Sequence, residues 1–180
     1  HEFLGFSSGL DFERKIMVKE KAPQILHREL ASKGWKPQVL AMSGVTDPYQ
    51  PIERKLRLTR QCLEVLANFR NPVGIITKNQ LITRDIDLLQ RLNDYSAVAV
   101  FVSITTLDPK LRRVMEPRTA PPAARLRTIE QLAKRGIPVG TLLAPIIPGL
   151  TDHEIPNMIS SAADAGAQFA GHVNLRLPYQ

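Results

Sequence analysis

The sequence predicts an α/β fold built from parallel βα units, either a doubly wound sheet or part of a (βα) barrel. Three observations predict it. Apolar strand-like runs start near residues 39, 73, 97, 139 and 169, roughly 24 to 42 residues apart, which is the spacing of βα units. The run Ala97 to Ile104 is apolar on both faces, as a parallel strand covered on both sides must be. No Gly-x-Gly-x-x-Gly and no Gly-x-x-x-x-Gly-Lys-Ser/Thr is present, which weakens the nucleotide-binding doubly wound alternatives.

The elements follow in order. Lys15 to Lys19 alternates polar and apolar residues and reads as a short strand. A helix is expected from about Pro23 to Lys33, with proline suited to the first turn and Gly34 at the end. Val39 to Ser43 is the first strand of the regular series. One long helix is expected from Ile52 to Phe69. It carries two apolar stripes at i, i+3/i+4 spacing: Ile52, Leu56, Thr59, Leu63, Leu66, and Leu58, Cys62, Val65, Phe69. Val73 to Thr77 is a strand ending at Lys78, and a helix near Thr83 carries Ile86, Leu89 and Leu92. After Ala97 to Ile104, a loop with Thr105, Thr106, Asp108 and Pro109 leads into a short helix. A turn-rich stretch from Glu116 to Pro122 precedes a helix bearing Leu126, Ile129 and Leu132, with Gly136 as its C′ residue. Val139 to Ile147 is the next strand. Thr151-x-x-Glu154 has the form of a capping box, with Pro156 awkwardly deep behind it. Gly166 ends that helix, and Phe169 to Leu177 gives a last strand.

The chain has 180 residues, 43% hydrophobic and 23% charged, enough for one globular domain with a real core. No apolar run approaches the roughly 18 residues that span a membrane. The start, His1-Glu2-Phe3-Leu4-Gly5, has no methionine and no signal-peptide pattern, so we expect a fragment of a longer protein. One cysteine, Cys62, excludes an internal disulfide and makes a reducing compartment, the cytoplasm, the default. It also excludes a Cys₃ or Cys₄ metal or cluster site within this chain. Its place on an apolar helix stripe makes it a packed, inert thiol rather than a nucleophile. His1, His27, His153 and His172 lie far apart, so no metal site is expected from them. No Gly-x-Ser-x-Gly elbow supports a Ser-His-Asp triad. The net charge of +7 favours anionic partners, nucleic acid and phosphate among them, or is simply a solvated basic surface.

Ligands of parallel α/β folds bind at the carboxyl ends of the strands. There the sequence places Ser43, Thr46 and Asp47, then Thr77, Lys78 and Asn79, then Ser103, Thr105 and Thr106, then Ala144 and Pro145, then Asn174 and Arg176. A carboxylate, an ammonium, hydroxyls and an amide suit a zwitterionic or hydroxylated ligand. Asp47 accepts from an ammonium in that reading and Lys78 pairs with a carboxylate. Each also has a plain role: Asp47 before Pro48 as a turn residue, Lys78 and Ser103 as strand ends, Glu53 as a first-turn helix acid. Arg118 and Arg125 suit phosphate or carboxylate, or are surface charges.

Six stretches together resemble a known family: HEFLGFSSGLD from His1, SGVTDPYQPIE from Ser43, Thr77-Lys78-Asn79, SITTLD from Ser103, MEPRT from Met115 and APIIPGLTD from Ala144. They resemble the radical S-adenosylmethionine enzymes, in the branch like spore photoproduct lyase that is often labelled "DNA repair photolyase-like". Thr-Asp-Pro-Tyr-Gln-Pro is the most specific piece. The resemblance implies a partial TIM-type (βα)₆ barrel over residues 1–180, missing its first strand and cluster loop and truncated at the N-terminus and at the C-terminus. In the family a Cys-x₃-Cys-x₂-Cys loop holds a [4Fe–4S] cluster, whose open iron binds S-adenosylmethionine and cleaves it to a 5′-deoxyadenosyl radical. By similarity Thr46 and Asp47 contact the methionyl amino end. Lys78 and Ser103 contact its carboxylate and nearby polar atoms, and Ala144 offers backbone beside the adenosyl group.

The chain departs from the family twice. The cluster cysteines are absent, so the cluster is expected in the parent protein and not in this chain, which alone is expected to be inactive. The lyase's hydrogen-donor cysteine is replaced by Gly44 and Val45, which puts repair of the spore photoproduct in doubt. A strand near Val39 without its neighbour is expected to oligomerise through its edge. Two rival readings remain: a non-catalytic basic nucleic-acid-binding domain, and another (βα)-barrel enzyme in which Lys78 and Arg118 hold a phosphate.

Overall fold

The computed structural model describes residues 16–43 and 46–176. His1 to Asp11, Gly44, Val45 and Leu177, the end of the expected fifth strand, lie outside them; Leu175 and Arg176 are described, and the strand stops before them at Asn174. The helices are α1 (Ala22–Leu30), α2 (Glu53–Leu56), α3 (Leu58–Phe69), α4 (Ile86–Asn93), α5 (Pro109–Met115), α6 (Pro122–Ala133) and α7 (Ile155–Asp164). The strands are β1 (Leu40–Met42), β2 (Val73–Thr77), β3 (Val98–Ser103), β4 (Val139–Ile146) and β5 (Phe169–Asn174). Single 3₁₀ segments, Gln80–Asp85 and Asp152–Glu154, lead into α4 and α7.

All neighbouring strands are parallel, and the order is β1-β2-β3-β4-β5. That order decides between the two architectures. A doubly wound sheet reverses its strand order at a switch point, whereas a barrel adds each strand beside the last. The sheet is therefore a barrel segment. Among the described residues β1 pairs with β2 alone and β5 with β4 alone, so the segment is not closed.

The two faces of the sheet differ. One face, Val73, Ile75, Val98, Val100, Val102 and Val139, is buried under the helices against Leu63, Leu66, Leu89, Leu92, Ile129 and Leu132. The alternate residues, Ile76 and Phe101 among them, are half-buried and face the inside of the curve. Burying a residue such as Leu63 or Leu89 contributes about 1.5–3 kcal/mol, so the helix-covered face supplies most of the hydrophobic stabilisation.

Proline marks the helix starts. It stands at the first or second position of α1, α5, α6 and α7, where the missing N–H has no helical partner anyway. Asp108 caps α5 by accepting from Lys110 N at 2.7 Å. Gly136 and Gly166 follow α6 and α7 with φ of +71° and +97°, as C′ residues.

Four expectations need correction. Residues 16–19 form no strand: Ile16, Met17 and Val18 are exposed and pair with nothing described. The helix expected over 52–69 is broken at Arg57, whose φ of 52° and ψ of 31° are left-handed, giving α2 and α3. Only the stripe of α3 from Thr59 through Leu63 and Leu66 is buried, and Leu56 and Phe69 are exposed. Thr151 and Glu154 form no capping box. Thr151 Oγ1 accepts from Ile147 N at 2.9 Å, and Glu154 turns away to Thr106 Oγ1 and Leu107 N. The helix begins later, at Ile155, which puts Pro156 in its first turn and removes the conflict. Glu53 is in the first turn of α2 but is buried and ion-paired with Arg84 at 3.0 Å.

Candidate functional site

An open cleft of about 730 Å³ lies at the carboxyl ends of the strands. Its lining includes Thr46, Asp47, Lys78, Ser103 and Ala144, the five residues that the resemblance assigns to a ligand. They arrive from the ends of β1, β2, β3 and β4. Pro145, Val173 and Leu175 give the cleft an apolar side.

Asp47 is held by its own chain. Its Oδ1 accepts from Tyr49 N at 2.8 Å and from Thr77 Oγ1 at 2.7 Å. Its Oδ2 accepts from Lys78 N at 2.7 Å. A carboxylate oxygen has two acceptor positions, so Oδ1 is filled and Oδ2 keeps one for an incoming donor. Asp47 is thus a loop anchor that still has an acceptor position to spare.

The loop behind Asp47 is clamped from below. Tyr49 is fully buried, and its hydroxyl donates to Asp85 Oδ2 at 3.2 Å. Its carbonyl accepts from Asn79 Nδ2 at 2.8 Å, and Thr59 Oγ1 donates to the Pro48 carbonyl. Asp85 is itself buried between Arg60 and Arg84. Burial, and then the Asp85 charge, push the Tyr49 phenol well above its usual pKa.

Lys78 meets a carboxylate within the chain. Its ammonium is ion-paired with Glu116 Oε1. The other oxygen, Oε2, accepts from Arg125 Nη2 at 2.6 Å. Arg125 is no surface charge: it is 2% exposed, and its Nη1 and Nε donate to the carbonyls of Ser103 and Ala120, each at 2.9 Å. Burial alone would raise the Glu116 pKa, but the Lys78 bond and the Arg125 charge outweigh it and hold the group below the usual carboxylate range. Lys78 lines the cleft and Arg118 does not, so the cleft does not bring together the two residues that the phosphate reading names.

Sequence reasoning missed Glu116 as a hub and Asp85 as a buried anchor. The MEPRT stretch signalled the first only as part of a resemblance. Nothing local signalled the second. Among the described residues no group of three or more His, Cys, Asp or Glu is placed to hold a metal ion. Cys62 is half-buried on α3 and does not line the cleft.

Residues 9–162 match the family model of the Radical SAM superfamily. The chain belongs to that superfamily. A protein of Mycobacterium tuberculosis described as uncharacterised is 34% identical over 169 residues, covering 93% of this chain and 50% of that protein. An uncharacterised protein of Methanocaldococcus jannaschii is 31% identical over 140 residues, covering 77% of this chain and 50% of that protein. The chain therefore spans about half the length of the curated relatives it matches. Among solved structures, a spore photoproduct lyase mutant with bound AdoMet and dinucleoside spore photoproduct superposes with a TM-score of 0.68 at 14% identity, over 87% of this chain and 46% of that one. Streptococcus suis SuiB bound to S-adenosylmethionine gives a TM-score of 0.59 at 14% identity, over 79% of this chain and 30% of that one. At that identity the likeness is one of fold, and it agrees with a partial radical SAM barrel. No helix among the described residues is long and apolar enough to cross a membrane.

Proposed function

We propose that this chain is the S-adenosylmethionine-binding barrel segment of a radical SAM enzyme, and that the cleft beside Asp47 is its S-adenosylmethionine site. One observation carries the reading: five residues from four separate strand ends, assigned independently by resemblance, line a single cleft. Their chemistry fits the ligand. Asp47 Oδ2 has an acceptor position for the methionyl ammonium, with Thr46 beside it. Lys78 supplies positive charge for the carboxylate, and Ser103 a hydroxyl. The Ala144 backbone and the apolar side of the cleft suit the adenosyl group.

In the superfamily an iron–sulfur cluster supplies the electron for reductive cleavage of S-adenosylmethionine. The single cysteine of these 180 residues does not furnish its thiolates, so this chain's residues would bind and orient the ligand, and a cluster held by cysteines elsewhere in the parent enzyme would supply the electron. The net charge of +7 supports an anionic substrate such as nucleic acid, and duplex binding that weakens steeply with salt is the expected sign of it.

The test is equilibrium dialysis of labelled S-adenosylmethionine against the chain. Asp47→Asn and Lys78→Met are each expected to weaken binding by about tenfold or more, equivalent to roughly 1.4 kcal/mol or more. Failure of the unaltered chain to bind at all rejects the reading.

A further inference from the structure

Glu116 lies between α5 and α6, outside the five residues assigned to the ligand. Yet it connects three of them. Its Oε1 pairs with the Lys78 ammonium at the end of β2. Its Oε2 holds buried Arg125, whose guanidinium in turn donates to the carbonyl of Ser103 at the end of β3. The Thr105 hydroxyl lies 3.1 Å from both Glu116 Oε1 and the carbonyl of Ala144 in β4, with one proton to share between them. One carboxylate thus ties three strand ends together.

The charges make the arrangement specific. Lys78 and Arg125 carry two positive charges and Glu116 one negative charge, so the cluster presents one uncompensated positive charge beside the cleft. A lysine ammonium has three donors, and Glu116 leaves Lys78 with donors to spare. A free lysine side chain loses up to about 2 kcal/mol of rotamer entropy when it is fixed. A lysine already fixed by Glu116 avoids most of that cost when a ligand binds.

We propose that Glu116 is the positioning residue of the cleft: it aims the Lys78 ammonium at the ligand's carboxylate and so makes the site selective for a nucleoside that carries an amino acid. This rests on the reading of the cleft as an S-adenosylmethionine site. The opposite arrangement, in which Glu116 merely competes with the ligand for Lys78, makes the opposite prediction.

The experiment compares S-adenosylmethionine with 5′-methylthioadenosine, which keeps the nucleoside and sulfur but has no amino-acid group. Both dissociation constants are measured on the full chain and on its Glu116→Gln, Glu116→Asp and Lys78→Met variants. Glu116→Gln is expected to weaken S-adenosylmethionine about tenfold or more and to change 5′-methylthioadenosine less than twofold. Glu116→Asp, which keeps the charge, is expected to restore part of the loss. The double variant Glu116→Gln/Lys78→Met is expected to bind no more weakly than Lys78→Met alone, because the two side chains act as one unit. An equal loss for both ligands makes Glu116 a fold residue only, and tighter S-adenosylmethionine binding makes it a competitor; either overturns the inference. If Glu116→Gln does not fold, Glu116→Asp must show a smaller loss that is still confined to S-adenosylmethionine, and its absence overturns the inference too. Failure of the unaltered chain to prefer S-adenosylmethionine rejects the site reading itself, and the inference falls with it.

Discussion

Phe101 and Phe169 come within 4.8 Å by ring centroid although their strands, β3 and β5, are not neighbours. Gly140 of β4 is in register with both and has no side chain to keep them apart. A Cβ at that position would stand 2.0 Å from Phe169 Cδ2 and 2.4 Å from the Phe169 carbonyl oxygen. Gly140→Ala is therefore expected to destabilise the chain by about 3 kcal/mol, the upper range of overpacking. Thermal or urea unfolding measures it, and a loss below about 1 kcal/mol would show that the rings move aside freely.

The buried anchor under the Asp47 loop makes two unequal predictions. Tyr49→Phe removes one hydroxyl bond and leaves Asp85 satisfied by Arg60 and Arg84, at a cost of about 1 kcal/mol. Asp85→Ala removes the acceptor shared by Arg60, Arg84 and the buried Tyr49 hydroxyl; Arg60 keeps Asp87 and Arg84 keeps Glu53, so the cost is about 2 to 3 kcal/mol. Urea unfolding of the two variants should separate them clearly. The raised Tyr49 pKa adds a pH limit. A neutral phenol favoured in the native state contributes its stability below the ordinary value of 10.0 and loses it as pH rises through the native value. Absorbance titration should show Tyr49 ionising only when the chain unfolds.

Glu116 gives the opposite sign. Its native pKa is lowered, so its contribution is complete above its ordinary value of 4.5 and is lost as pH falls through the lowered native value. Glu116→Gln should flatten the acid side of the stability–pH curve. An unchanged slope would mean that other carboxylates control acid unfolding.

The Cys62 thiol is pushed up to about 11, first by burial and then by the charge of Glu53. Against the reference value of 9.0 that leaves on the order of a hundredfold less thiolate at neutral pH. Modification by a disulfide reagent at pH 7.5 is expected to be correspondingly slow in the native chain and to accelerate in urea.

The parallel strands were legible because a strand buried on one face and half-buried on the other must be apolar along most of its length, as Val98 to Ser103 is. The strand order was not legible, since periodicity says nothing about which neighbour a strand takes. The break at Arg57 escaped notice because apolar residues recur through Leu56, Thr59 and Leu63 without a gap. An arginine in left-handed conformation leaves no compositional mark, where a glycine would have left one. Residues 16–19 show the reverse error: a few alternating residues occur easily by chance, and only a partner surface turns them into a strand. In the site, the strand-end positions of Asp47, Lys78, Ser103 and Ala144 followed from the βα pattern alone. Their partners did not. Glu116 reaches Lys78 across 38 residues, and Tyr49 reaches Asp85 across 36, distances over which a sequence carries no local signal.

The prolines that open α1, α5, α6 and α7 act where no contact can be drawn. Each fixes one backbone angle in the unfolded chain as firmly as in the folded one, so folding has less freedom to remove there. A compatible proline is worth about 0.4–1 kcal/mol through that route alone. Four of them mark where helices begin before any helix exists. The barrel segment is thus partly specified by its denatured ensemble, and replacing these prolines with alanine should lower stability while leaving every side-chain contact around the cleft in place.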